Sequence, residues 1–206
     1  MKATPLLTGW TCRHLGDTAP GRPVTLPHDA MLAEPRTALS AGGVNTGWYE
    51  GYDYEYQRTL TVPENELSDT HILEFEGVYH NAEVWLNGQK AAFRPYGYTN
   101  FYVDCAPFLR AGDNELRVIA RNADQPNSRW YSGAGLYRPV QLWTAGDKHI
   151  LLNGVRIRTV SLEPAVVEIR VRTSAPGTVQ LMVEGLPTVR KESDGEAVFT
   201  LTIDNA

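Results

Sequence analysis

The sequence predicts an all-β protein made of antiparallel sandwiches. Three observations predict it. Short segments of alternating apolar and polar residues recur at spacings of roughly 10–15 residues. Gly, Pro, Asn or Asp stands between them. No stretch sustains a helical period, and Pro27, Pro35, Pro63 and Pro107 interrupt the longest candidates, so any helix is expected to be short.

Taken in order, the expected strands are Ile72 to Glu76, Ala82 to Leu86, Asn100 to Asp104, Glu115 to Ala120 and Val140 to Trp143. After them come Val155 to Val160, Val166 to Arg172, Val179 to Val183 and Val198 to Ile203. Asn87-Gly88 follows the β-forming run Val84-Trp85-Leu86 and suits a type I′ hairpin, whose two central residues both need positive φ. In the last third, Val155, Ile157, Ile169 and Val171 are expected to face inward, with Arg156, Arg158, Arg170 and Arg172 on a solvated outer face. The polar segment Thr144 to Lys148 sets the domain boundary, giving domains 1–146 and 147–206. The second offers about four strands, fewer than the roughly seven of a complete immunoglobulin-like sandwich. Its edge is therefore expected to seek a partner strand.

The 206 residues include 42% hydrophobic and 21% charged residues, ordinary for a globular domain, and no apolar run approaches the roughly 20 residues of a membrane span. The net charge of −5 offers no attraction for phosphate backbones or anionic lipid, so neither nucleic acid nor membrane is an expected partner. Cys12 and Cys105 are too few for a disulfide framework and read as buried free thiols. Thr8, Thr11, Arg13 and His14 break up the apolar core that a secretory leader needs, and the expected location is cytoplasmic.

Two stretches are richer in polar and aromatic residues than a core requires. One runs Gly47-Trp48-Tyr49-Glu50 into Tyr52, Tyr54 and Tyr56; the other runs from Asn127 through Arg129-Trp130-Tyr131-Ser132-Gly133-Ala134-Gly135 to Val140. A Gly-rich loop flanked by Arg, Trp and Tyr presents donors beside a flat apolar face, which is what a pyranose ring requires. Gly133 and Gly135 do not make a dinucleotide fingerprint, because Arg138 stands at the third Gly position and the flanks read as β. The five histidines have no metal-ligand spacing, His28 and His80 are expected in structural hydrogen bonds, and no Gly-x-Ser-x-Gly elbow occurs. No metal or cofactor is expected.

The second stretch resembles the signature of the N-terminal domain of family-2 glycoside hydrolases, the β-galactosidases, β-glucuronidases and β-mannosidases. Further similar segments follow in the same order: Leu26-Pro27-His28-Asp29, Gly47-Trp48-Tyr49, Phe75-Glu76-Gly77-Val78 with Ala82 to Gly88, and Tyr96-Gly97-Tyr98-Thr99-Asn100-Phe101. The resemblance implies a jelly-roll, galactose-binding-domain-like sandwich up to about residue 146. It implies next the start of an immunoglobulin-like domain that precedes a catalytic (β/α)8 barrel.

In that family hydrolysis with retention uses two glutamates about 5 Å apart. Both belong to the barrel, so no catalytic residue is assigned in this chain. Asn65-Glu66 and Asn114-Glu115 match the family's Asn-Glu acid/base dipeptide but fall within the sandwich by motif order. The resemblance places Asp124, Asn127, Arg129 and Trp130 nearest to the sugar and gives Arg138 a structural role. It implies a carbohydrate ligand, a docked barrel and a homo-oligomer interface as partners. Arg129-Trp130-Tyr131-Ser132-Gly133 is more similar to the galactosidase branch than to the glucuronidase one. Two rival readings are a stand-alone carbohydrate-binding module and a purely architectural domain.

Overall fold

The computed structural model describes residues 1–203. The protein is nearly all-β, and it divides into two compact units, Ala3–Thr144 and Met1–Lys2 with Ala145–Ala206.

The larger unit is built from β1 (Lys2–Pro5), β2 (Trp10–His14), β3 (Arg22–Val24), β4 (Asp53–Val62), β5 (Thr70–Phe75), β6 (Ala82–Leu86), β7 (Gln89–Arg94), β8 (Phe101–Asp104), β9 (Gly112–Arg121) and β10 (Val140–Ala145). They form a four-stranded sheet, β1-β10-β5-β8, and a six-stranded sheet, β3-β2-β4-β9-β6-β7. The helical content among the described residues is three 3-10 turns, Ala30–Ala33, Gly43–Thr46 and Glu64–Glu66. Alternation decides which faces meet. Trp10, Tyr54, Tyr56, Val84, Leu116 and Val118 point from the larger sheet into one buried cluster with Leu73, Phe75, Phe101, Val103 and Val140 of the smaller. Phe75 and Phe101 stack there with centroids 4.9 Å apart. Two sheets sharing a core between inner faces make a β-sandwich.

β4 and β9 are the spine of the larger sheet, paired without interruption from Asp53↔Arg121 to Val62↔Gly112. Pro63 ends β4, where a further ladder N–H would be needed, and Gly112 starts β9 at φ 84°. The expected hairpin joins β6 to β7, with Leu86 opposite Gln89 and both Asn87 and Gly88 at positive φ. Cys12 and Cys105 are buried and free, and burial pushes their thiols up to about 11 and about 12.

The smaller unit contains β11 (Ile150–Leu162), β12 (Ala165–Thr173), β13 (Gly177–Leu181), β14 (Val189–Ser193) and β15 (Glu196–Ile203). β11-β12-β15 form one sheet and β13-β14 a separate hairpin. Its core is Ile169, Val171, Val179, Ala197 and Phe199.

Two expectations are corrected here. The unit has five strands rather than about four, because β14, Val-Arg-Lys-Glu-Ser, carries too many charges to show an apolar alternation. Ile169 and Val171 are buried as expected, but Val155 and Ile157, their cross-strand neighbours on β11, are 49% and 70% exposed. They share the inward face, yet β11 is an edge strand and the core does not extend over it.

Candidate functional site

The two sequence motifs richest in family resemblance are joined in space. His28 N–H bonds to Leu136 O at 2.8 Å and Ala30 N–H to Ala134 O at 2.9 Å. Asp29 stands between them and is fully committed. Its Oδ1 accepts the backbone N–H of Met31 at 3.1 Å, capping the first 3-10 turn, and that of Ala134 at 3.0 Å. Its Oδ2 accepts the Tyr131 hydroxyl at 2.6 Å. Burial and the Asp29 carboxylate push the Tyr131 phenol well above the usual tyrosine range, so it remains a neutral donor. The loop's two glycines are required by this closeness. Gly133, at φ 69°, would place a Cβ 2.6 Å from Asp29 Oδ2, and Gly135, at φ 99°, would drive one into the Tyr56 hydroxyl.

A second clamp holds the start of the loop. Asn127 donates through Nδ2 to Asn122 Oδ1 at 2.9 Å and Asp124 O at 3.0 Å, with His80 Nε2 3.2 Å from the same nitrogen, and its Oδ1 accepts the Tyr79 hydroxyl at 3.1 Å. An amide N–H can only donate, so His80 Nε2 is unprotonated. Tyr79 in turn exchanges backbone bonds with Gly135, 3.0 and 2.9 Å. Between the clamps the chain turns outward, closed by the Ser128 hydroxyl on Trp130 O. The tip carries Arg129, exposed and without a side-chain hydrogen bond among the described residues, and Trp130, 61% exposed. Trp130 Nε1 reaches the Tyr98 hydroxyl at 3.3 Å, fixing the indole by its edge and leaving its face open. Tyr98 belongs to a run of rings with Tyr79, Tyr96 and Tyr137, at centroid spacings of 5.3, 5.7 and 6.4 Å.

A stiff loop that presents a guanidinium and an indole face can hold a polar ring against its apolar side. It has no activated nucleophile and no pair of free carboxylates. A family model described as glycosyl hydrolase 2 galactose-binding domain-like matches residues 23–161. The chain belongs to that family. It is 37% identical over 161 residues to the β-galactosidase BoGH2A of Bacteroides ovatus, covering 73% of this chain and 19% of that protein. It is 34% identical over 140 residues to a Formosa agariphila protein provisionally named a β-glucuronidase, covering 68% and 14%. The structure superposes on a β-glycosidase from Bacteroides vulgatus with a TM-score of 0.83 and 25% identity, over 98% of this chain and 29% of that one. The chain thus spans under a third of each of these relatives.

Against that family background, the four residues expected nearest to sugar divide. Arg129 and Trp130 are presented at the loop tip, and Asp124 is exposed with its carboxylate free of hydrogen bonds among the described residues. Asn127 is present in the same loop, but every polar atom of its amide is used within the protein. Arg138 donates to Glu76 O at 3.5 Å and lies over the Tyr137 ring. His28 and His80 are in the structural hydrogen bonds expected, His28 with Tyr56 at 2.8 Å.

Asn114 is wholly buried and bonds to Leu60, Arg110 and Gly112 carbonyls, so its Asn-Glu pair serves a turn; Glu66 closes a surface 3-10 turn. No group of three or more His, Cys, Asp or Glu among the described residues is arranged to hold a metal. Among them, too, no helix is long and apolar enough to cross a membrane. Sequence reasoning missed Asp29, Asn122 and Tyr98 as site residues. Asp29 lay in a quoted motif, but its partners stand 102 and 105 positions away, a separation that no local pattern reports.

Proposed function

We propose that this chain is the non-catalytic front end of a retaining family-2 glycosidase. Its Asp124–Tyr131 loop forms one wall of the sugar site of a catalytic barrel supplied further along the polypeptide. The observation that carries this reading is Trp130: a large aromatic ring left mostly in water on a loop braced by Asp29 and Asn127. Bracing an exposed indole costs hydration and chain entropy with no return to the fold, which suits a surface made to receive a ring. Arg129 supplies hydroxyl-directed donors beside it, Asp124 an acceptor, and Asn127 acts by positioning the loop.

Terminal β-galactosides are the substrate class we favour for the parent enzyme. The Arg129-Trp130-Tyr131-Ser132-Gly133 run and the likeness to BoGH2A support this; the likeness to proteins named β-glucuronidase supports the rival sugar. In the full-length enzyme, Trp130→Ala is expected to raise KM for a β-galactoside several-fold while kcat and thermal midpoint stay nearly unchanged. A fall in stability or assembly with KM unaltered would assign the loop to architecture instead.

A further inference from the structure

Arg58 lies on β4 at the margin of the larger unit's core, well outside the loop described above. Its Cζ lies over the Trp10 ring, 6.0 Å from the centroid, and a Cβ on Gly9 would be 3.4 Å from Nη1. Nε and Nη1 are buried with no hydrogen-bond partner. No carboxylate comes within ion-pair distance among the described residues, although Glu66, Asp113 and Glu115 line the two grooves that share Arg58. Burial lowers the arginine's affinity for its proton accordingly. Nη2 is not among those buried nitrogens and has no protein partner among the described residues, so it is the edge of this half-desolvated, uncompensated cation that an anion can reach.

The groove on one side of Arg58 has a volume of about 310 Å³ and apolar walls formed by Leu6, Leu60, Leu109 and Leu142. His71 also lines it, though only 2% of the residue is exposed. Its Nδ1 lies 3.0 Å from Asp69 O, which can only accept, so Nδ1 carries the proton. In the neutral ring Nε2 is then the acceptor, and it has no protein partner among the described residues. The groove therefore offers one cation, one acceptor and apolar walls, in a volume at the lower end of small-molecule sites.

We propose that this groove binds a small carboxylic acid with an apolar body and a hydrogen-bond donor, the carboxylate on Arg58 and the donor on His71 Nε2. The inference is independent of the sugar-site reading. The test is a heteronuclear NMR titration of the 206-residue chain with 4-hydroxybenzoate, its neutral isostere 4-hydroxybenzamide, and benzoate, which lacks the donor. The acid is expected to bind at least about tenfold more tightly than the amide, and benzoate to fall between or below, with the His71 ring resonances shifting. Arg58→Gln is expected to erase the preference for the acid. Should that variant fail to fold, the comparison of acid with amide on the unaltered chain decides alone. Equal affinity for acid and amide overturns the proposal. So does a preference that survives Arg58→Gln, or no saturable binding below about 10 mM.

Discussion

His28 and His80 sit on the two clamps of the signature loop, and burial holds both below the usual histidine pKa. Around His28 the Arg22 charge adds to that depression and Asp29 opposes it; around His80, Asp53 and Asp124 oppose it. The unfolded chain takes up protons on these rings below about pH 6.5, whereas the folded chain resists. Their contribution to stability is therefore complete above that pH and drains as pH falls, by up to about 1.4 kcal/mol per pH unit for each ring until its folded pKa is reached. Protonating His80 would also oppose the bond from Asn127, since Nε2 could no longer accept. Urea midpoints are expected to decline between pH 6.5 and 5, and the double variant His28→Gln, His80→Gln to flatten that decline. An unchanged pH profile in the double variant would show that the rings titrate alike in both states. The structural roles of both histidines were readable from their motifs, but their neutrality was not, because it depends on what chain folding packs around them.

On the outer face of the six-stranded sheet, β2, β4 and β9 are tied by charge rather than by apolar contact. Glu55 on β4 is only 3% exposed and accepts from Arg13 on β2 at 2.8 and 2.5 Å and from Arg117 on β9 at 3.2 Å. Arg117 in turn lies 4.9 Å from the Trp85 ring centroid on β6. Removing one member of a buried ion pair leaves the others uncompensated, at about 3–5 kcal/mol when fully enclosed. Here both arginines are 28% exposed, so water recovers part of that, and Glu55→Gln is expected to cost about 2 kcal/mol in urea denaturation. A loss below a few tenths would make the network ornamental. The same face explains which strands the sequence disclosed. The β6–β7 hairpin has clean alternation and a turn dipeptide with one conformational solution. β2, whose Thr11 pairs with Gln57 and whose Arg13 and His14 are held by Glu55 and Glu34, has no local signature of a strand.

The two units differ in how much core each has. The larger buries a continuous cluster spanning both of its sheets, including Trp10, Tyr54, Tyr56, Phe75 and Leu116; the smaller buries five side chains and leaves Val155, Ile157, Val160 and Leu162 of β11 largely in water. At about 1.5–3 kcal/mol for each large apolar side chain fully enclosed, that difference decides which unit opens first. The exposed row on β11 is apolar surface that this unit does not enclose. The unit as it stands is then the weaker one. All five tryptophans, from Trp10 to Trp143, lie in the larger unit, so their fluorescence reports it alone, whereas far-UV circular dichroism reports strands in both. On heating, dichroism is expected to lose amplitude before fluorescence moves, with amides of β11 to β15 exchanging with solvent while those of β4 and β9 remain protected. A single transition seen identically by both probes would mean that the five-residue core is stabilised as firmly as the larger one.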